Sequence, residues 1–113
     1  MYKNIFDTHA HYEDEQFDCD RDELLSSFPE NGISGVVTCG TDIITSEKSI
    51  ALAEKYPFIY AAVGFHALNL DSLTADWCGD IKKLAAQKKV VAIGEIGLDY
   101  HYERDSREKQ LEV

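Results

Sequence analysis

Four short apolar runs, separated by helical patterns, are the feature that most constrains the fold of this chain. The runs are KNIF from Lys3, ISGVVTC from Ile33, FIYAAVG from Phe58 and VVAIGEIG from Val90. The last three are almost continuously apolar, which is typical of buried parallel strands covered on both faces. Strands that recur every ~30 residues match the repeat of a (β/α)8 barrel of ~250 residues. The sequence therefore predicts a parallel α/β fold.

Helical patterns occupy the intervals between these runs and the segment after the last of them. Capping residues, prolines and apolar spacing predict where each helix begins and ends. The predicted helices are DRDELLSSF with Asp20 as N-cap, a helix that begins at Thr45 and ends before Pro57, DSLTADWCGDIKKLAAQKK with Leu73, Trp77, Ile81 and Leu84 on one face, and a helix that begins at Arg104. Residues 1–113 are therefore expected to form one folding unit in which strands and helices alternate, ending in the start of a further helix.

Charge limits the kinds of partner that the general surface can attract. Lys and Arg total 11 against 21 Asp and Glu, and the formal net charge is −10. Such a surface repels nucleic acids and anionic membranes, so a phosphate ligand would need local positive charge, for instance from metal ions.

Location is predicted from the absence of two kinds of segment. No stretch approaches the ~18 apolar residues of a membrane span, and the N-terminus lacks a secretory leader pattern. We expect a cytoplasmic protein with no membrane partner. The three cysteines, Cys19, Cys39 and Cys78, are odd in number and widely spaced, and are expected to be reduced and buried.

The stretch FDTHAHYED places two histidines directly after the first predicted strand. In extended chain, residues i and i+2 point to the same face, so His9 and His11 can project together. Loops at this position carry the functional residues of parallel α/β proteins. Asp7 could be a third ligand or an acceptor that orients an imidazole. The alternative is a solvated polar loop in which the two histidines are incidental.

A second polar group follows the fourth predicted strand, in GEIGLDY from Gly94 to Tyr100. Glu95 ends an otherwise apolar run, and an ionised carboxylate there needs a cation or several hydrogen bonds. Asp99 offers another carboxylate in the following loop. A strand-end residue in water, or a salt-bridge partner, is the alternative for Glu95. His66 ends the third run and, taken alone, could equally be a packed or loop histidine.

At these residues the sequence resembles the TatD family of metal-dependent deoxyribonucleases, within the wider amidohydrolase-like group of barrels. The matching segments are FDTHAHY for the D-x-H-x-H opening, GISGVVTCGTD for the second strand and loop, AVGFH for the third strand, and GEIGLDY after the fourth. The resemblance spans this chain but covers only the first half of a family member. It therefore implies that residues 1–113 form a single, incomplete domain, about the first four βα units of a TIM-type (β/α)8 barrel. It departs from the family pattern after the third strand, which the family usually continues as G-x-H-P, whereas here Ala67 and Leu68 follow His66.

This resemblance implies a divalent-metal site, with two ions (Mg²⁺, Mn²⁺ or Zn²⁺) in a complete barrel. His9 and His11 would be ligands of one metal, Glu95 a catalytic carboxylate that bridges both metals, and His66 a catalytic histidine facing the substrate. Asp7 and Asp99 would support these residues from behind. The implied reaction is hydrolysis of phosphodiester bonds, with DNA or another phosphodiester as substrate and water activated by the metal.

Two alternatives remain open from the sequence. An amide or lactone hydrolase on a related barrel would share the H-x-H pair, whereas GEIGLDY favours the nuclease-like branch. A non-catalytic, truncated fragment would keep motif residues without a full site, since the family's remaining ligands come from later strands. Four strands alone would also expose sheet edges, so the fragment is expected to self-associate. The turn CGTD, from Cys39 to Asp42, could offer backbone N–H groups to a phosphate but matches no nucleotide-binding loop.

Overall fold

The four predicted strands form one parallel sheet in the order β1-β2-β3-β4. The computed structural model describes residues 2–113. The elements are β1 Ile5–Ala10, α1 Arg21–Ser26, β2 Ile33–Cys39, α2 Ile43–Lys55, β3 Ile59–Val63, α3 Trp77–Ala85, β4 Val90–Ile93 and α4 Arg107–Glu112. Parallel neighbours in sequence order are the arrangement of successive strands in a (β/α)8 barrel, and this confirms the predicted fold class.

The first strand lies further along the chain than predicted. It begins at Ile5 and ends at Ala10, whereas the apolar run KNIF placed it over residues 3–6. Asp7 pairs with Val36 and Ala10 pairs with Thr38, so hydrogen bonding to β2 continues through polar residues. Because one face of this edge strand is open, polar side chains cost little there. His9 is therefore a strand residue, and His11 lies directly after the strand.

Capping moves the start of α2 two residues ahead of the predicted Thr45. The Asp42 carboxylate accepts a hydrogen bond from the Thr45 backbone N–H, and the Thr45 hydroxyl accepts one from the Asp42 N–H. This reciprocal pair satisfies amides that a helix leaves free at its N-terminus. Within the CGTD turn, the Gly40 N–H donates to the Ala62 carbonyl, and the N–H groups of Thr41 and Asp42 donate to the Thr45 hydroxyl. The turn's predicted capacity to hold a phosphate therefore has no support from this geometry.

The other helices follow the prediction in position but not in length. Helix α1 begins after Asp20 as predicted, although the Asp20 side chain makes no capping hydrogen bond. The long third pattern is divided: a 3₁₀ segment covers Ala67–Ser72, and α3 begins only at Trp77. Helix α4 begins at Arg107, three residues after the predicted Arg104. The Asp76 side chain accepts from the Gly79 N–H at the start of α3, and this cap places the boundary.

One face of the sheet carries the hydrophobic core. Alternate residues of the inner strands are buried against the helices, together with Leu25 of α1 and one face of α2. The main core residues are Leu25, Phe28, Val36, Ile50, Leu52, Ala53, Tyr56, Ile59, Ala61 and Val63. Helices therefore pack on a single side of the sheet, as the βα repeat predicts.

The edge strands carry exposed apolar residues, so the expectation that every one of the last three runs is buried on both faces was wrong for β4. Phe6 is 50% exposed on β1, and Val91 and Ile93 of β4 are 56% and 52% exposed. The Cα radius of gyration is 15.0 Å, against about 13 Å expected of a compact domain of this length. An unclosed sheet accounts for both observations.

We expect the purified 113-residue chain to self-associate. Phe6, Val91 and Ile93 are exposed apolar residues of β1 and β4, and these two strands are sheet edges with unpaired backbone groups. Sedimentation velocity at several concentrations should show dimers or larger species. The charge-bearing variant Val91→Lys should shift the distribution toward monomer. A folded chain that stays monomeric at every concentration would contradict the prediction.

The cysteines differ from expectation in burial. All three are free, and Cys39 is buried, but Cys19 and Cys78 are exposed. Cys19 lies in the turn before α1 and Cys78 in the first turn of α3. The general preference of cysteine for the interior does not determine which surface of a turn or helix a position occupies. Within residues 2–113, every helix is too short or too polar to cross a bilayer.

Candidate metal centre

Side chains from three strands meet at the carboxyl end of the sheet. His9 lies near the end of β1 and His11 follows it, His66 follows β3, and Glu95 follows β4. Both oxygens of Glu95 are in use: Oε2 lies 3.3 Å from His9 Nε2 and 3.1 Å from His11 Nε2, and Oε1 lies 3.3 Å from His66 Nε2. The sheet thus brings four predicted site residues into one cluster around a single carboxylate.

Three atoms of this cluster are spaced like ligands of one cation. His9 Nε2 and His11 Nε2 are 3.2 Å apart, and each lies within 3.3 Å of Glu95 Oε2. Neighbouring ligands at 2.0–2.1 Å from an ion are about 2.9 Å apart in octahedral and about 3.4 Å apart in tetrahedral coordination. In residues 2–113 this is the one group of three possible ligand atoms found together. The donor set and its spacing therefore fit a divalent metal.

A hydrogen bond to the backbone determines the orientation and tautomer of His11. Its Nδ1 lies 2.8 Å from the carbonyl oxygen of Cys39, which can only accept, so Nδ1 carries the proton. The lone pair is then on Nε2, the atom that faces His9 and Glu95. The end of β2 thus determines the tautomer of a histidine that follows β1.

His66 has the opposite tautomer. Its Nδ1 accepts a hydrogen bond from the Leu68 backbone N–H at 3.1 Å, so the proton lies on Nε2. That N–H donates to Glu95 Oε1. His66 is the N-cap of the 3₁₀ segment Ala67–Ser72, and this turn determines its orientation. In this geometry His66 is a hydrogen-bond donor rather than a metal ligand.

A close approach of two backbone segments places Glu95. The Glu95 N–H donates to the Gly40 carbonyl at 2.7 Å, and the Gly94 N–H donates to the Val63 carbonyl at 2.9 Å. A Cβ atom on Gly64 would lie 2.9 Å from both the Gly94 carbonyl carbon and the Glu95 carbonyl oxygen. Only glycine at position 64 therefore leaves room for the segment that carries Glu95.

The two predicted supporting aspartates make local contacts. Asp7 Oδ1 accepts from the His9 backbone N–H at 3.0 Å, which ties it to the chain of a candidate ligand. Asp99 Oδ1 accepts from the backbone N–H groups of His101 and Tyr102. The hydrogen bond from the Tyr102 N–H is the main cause that holds the pKa of Asp99 below its usual value. Asp99 shapes the loop after β4, and its hydrogen bonds in residues 2–113 do not reach the cluster.

Sequence reasoning overlooked Glu13, which is 5% exposed, and Thr38, which is fully buried. Glu13 Oε1 lies 3.2 Å from His11 Nδ1, and Glu13 Oε2 accepts from the Thr38 hydroxyl at 2.5 Å. Glu13 continues the series in which Asp7, His9 and His11 lie two positions apart, and this was a signal in the sequence. The neighbouring Asp14 and Glu15 are also acidic, so residue type alone could not single out Glu13. Burial raises the pKa of the Cys39 thiol, and the negative charges of Glu95 and Glu13 raise it further.

Nearly the whole of this chain is similar in sequence to known proteins of one family. The family model described as TatD related DNase matches residues 6–113. A Bacillus subtilis protein, the uncharacterized metal-dependent hydrolase YabD, is 40% identical over 109 residues, which is 96% of this chain and 43% of that protein. The 3'-5' ssDNA/RNA exonuclease TatD of Pantoea ananatis is 31% identical over 107 residues, 94% of this chain and 41% of that protein. This chain thus spans less than half the length of these curated relatives.

Solved structures show the same arrangement of elements. A TatD family hydrolase from Entamoeba histolytica matches with a TM-score of 0.85 and 26% identity, over 99% of this chain and 44% of that chain. YJJV, a TatD homolog from Escherichia coli K12, matches with a TM-score of 0.83 and 29% identity, over 95% of this chain and 42% of that chain. In each case the match covers less than half of the solved structure.

Proposed function

This chain belongs to the TatD-related DNase family, and on that premise we propose that it supplies half of the active site of a metal-dependent phosphodiesterase that cleaves DNA. Residues 1–113 would be the N-terminal part of a single barrel domain. The observation that carries the proposal is the group formed by His9, His11 and Glu95, whose donor atoms lie 3.1–3.3 Å apart. That spacing suits one divalent ion. A bound cation would supply the local positive charge that a chain of net charge −10 needs to attract a phosphate.

We assign the metal-binding role to His9 Nε2, His11 Nε2 and Glu95 Oε2. Two imidazoles and one carboxylate favour Zn²⁺ or Mn²⁺ over Mg²⁺, which prefers oxygen ligands and keeps several waters. Glu95 Oε1 is directed away from the two ligand histidines, toward His66. A carboxylate with its two oxygens divided in this way suits the bridging role that the family resemblance implies, with the second ion completed by residues of later strands.

His66 would act on the substrate side. Its Nε2–H donates to Glu95 Oε1 and can be shared with a phosphoryl oxygen that enters the cluster. Asp7 would hold the chain at His9, and Asp99 would hold the loop that follows β4. When bound, the cations would lower the pKa of water, polarise the phosphoryl oxygen and offset the charge that develops on it.

The 113-residue chain alone is expected to bind one ion but to show little or no nuclease activity. Three ligand atoms do not complete a two-metal site, and one cluster of three is found in residues 2–113. The test compares this chain with the same chain completed by the remaining βα units of the Bacillus subtilis relative. Each is incubated with a labelled DNA single strand, titrated Mn²⁺ or Zn²⁺, and EDTA.

Cleavage by the completed chain that EDTA abolishes would support the proposal. A folded, metal-loaded completed chain that hydrolyses amide or lactone substrates but not DNA would contradict it in favour of the related hydrolase class. Robust metal-dependent cleavage by the 113-residue chain would contradict the assignment of a half site.

A further inference from the structure

A buried carboxylate lies behind the candidate ligand His11. The Glu13 side chain is 3% exposed, whereas the imidazole of His11 is 35% exposed and faces the cluster. Glu13 Oε2 accepts from the fully buried Thr38 hydroxyl, and Glu13 Oε1 lies 3.2 Å from His11 Nδ1. Burying a carboxylate is costly unless hydrogen bonds and a positive partner compensate for lost hydration. Two hydrogen-bonding partners are present, so the question is what supplies the positive charge.

Lysine and arginine do not supply it. In residues 2–113 no Lys or Arg nitrogen lies within 4.0 Å of the Glu13 carboxylate, whose close side-chain partners are His11 and Thr38. Arg21 lies nearby, but it donates to backbone carbonyls, at 2.6 Å to Tyr12 and 3.4 Å to Glu13, and to the Asp18 carboxylate. The charge of Glu13 is therefore directed at the imidazole alone.

We propose that Glu13 is a positioning residue that acts through His11, and that its negative charge strengthens the hold of His11 Nε2 on a divalent metal. The inference rests on the proposed metal site. A carboxylate behind a ligand imidazole increases electron density on the ring, which makes the opposite nitrogen a better donor. Thr38 orients the carboxylate, so β2 contributes to the site without a ligand of its own.

The Cys39 carbonyl already accepts from His11 Nδ1 at 2.8 Å, and it determines the tautomer by itself. Glu13 adds charge, which a neutral carbonyl cannot add. The two contributions are separable by experiment. Replacing Glu13 with glutamine keeps the shape and a hydrogen-bond acceptor, since the Thr38 hydroxyl can donate or accept, but removes the charge.

The first measurement is Mn²⁺ and Zn²⁺ affinity by isothermal titration calorimetry, on the 113-residue chain. Glu13→Gln is expected to weaken binding by about tenfold or more, which is the usual effect of substituting a carboxylate that hydrogen-bonds a metal-ligating histidine. Glu15→Gln is the matched control, because it removes one exposed carboxylate from the same turn. It should change affinity by less than about twofold. Equal losses in the two variants would overturn the proposal.

The second measurement needs no metal. Side-chain ¹⁵N NMR of the metal-free protein should show His11 protonated on Nδ1, with the Nδ1–H proton resonance moved upfield in Glu13→Gln and unmoved in Glu15→Gln. An Nε2–H tautomer in the unmodified chain would overturn the proposal. If the unmodified chain binds no ion, the proposed function fails, whereas the NMR result still supports or overturns the contact between Glu13 and His11.

A further variant covers the case in which Glu13→Gln does not fold. Thr38→Val is isosteric and keeps the Glu13 charge, but it removes the hydroxyl that orients the carboxylate. It should weaken metal binding by less than Glu13→Gln does, because the charge stays but is no longer held toward His11. Unchanged metal affinity in a folded Thr38→Val chain would overturn the role assigned to the Thr38 hydroxyl.

Discussion

Replacing Glu95 with alanine is expected to weaken Mn²⁺ binding more than about 100-fold. This exceeds the loss expected when a residue that only hydrogen-bonds a metal ligand is substituted. Its Oε2 is the single atom that approaches both His9 and His11, and its Oε1 is the contact to His66. The variant leaves two histidines without a carboxylate, and DNA cleavage by the completed chain should be lost. Titration calorimetry measures the first effect, and cleavage of a labelled single strand measures the second.

Glu103→Ala is the matched control for this experiment. Glu103 is an exposed carboxylate in the loop after β4, so its removal changes net charge equally. His9→Ala should weaken binding at one ion, because the two histidines serve the same cation. Full cleavage activity in Glu95→Ala would contradict the bridging assignment, and an equal loss in Glu103→Ala would indicate a general effect of charge.

Adding a methyl group at Gly64 is expected to disturb the same centre without changing any ligand. The new Cβ in Gly64→Ala would lie 2.9 Å from the backbone of Gly94 and of Glu95, and backbone atoms cannot turn aside as a flexible side chain can. Overpacking of this kind costs about 1–3 kcal/mol of folding stability. The displaced segment carries Glu95, so Mn²⁺ affinity should also fall by about tenfold or more. Thermal unfolding and titration calorimetry measure the two effects.

The control is Gly94→Ala, in the segment that faces Gly64. A Cβ there would meet only the Ala62 Cβ at 3.9 Å, an ordinary contact. Its effects on stability and on metal affinity should be clearly smaller than those of Gly64→Ala. Wild-type metal affinity in a folded Gly64→Ala chain would show that the close approach does not position Glu95.

Much of the fold was predictable because the determinants are local. Almost continuous apolar runs identified β2, β3 and β4, with β2 matching Ile33–Cys39 residue for residue. Helices between such runs leave parallel strands in sequence order as the natural arrangement. Parallel strands bring their carboxyl ends to one edge, so motifs after β1, β3 and β4 were expected to be neighbours there. The TatD resemblance rested on those motifs, and the family model matches residues 6–113.

Boundaries and supporting contacts were less predictable because they depend on partners distant in sequence. Strand β1 extends through polar residues to Ala10 because β2 supplies hydrogen bonds there. Ala10 pairs with Thr38, which lies 28 positions later in the chain. The cap at Asp76 shortens the predicted third helix, and chain folding alone determines that Cys19 and Cys78 face solvent. Nothing in residue type distinguishes Glu13 from its acidic neighbours until Thr38 and His11 enclose it.

The sequence by itself determined which chemical groups this chain can bring to a metal, because His9, His11, His66 and Glu95 are identifiable by type and by place after predicted strands. Only the tertiary structure decided what each group does in the cluster. A proton occupies one nitrogen of an imidazole according to the acceptor or donor that faces it. The Cys39 carbonyl leaves the lone pair of His11 on Nε2, whereas the Leu68 amide makes Nε2 of His66 a donor. Those two backbone groups belong to different loops, and folding alone brings each one to its histidine.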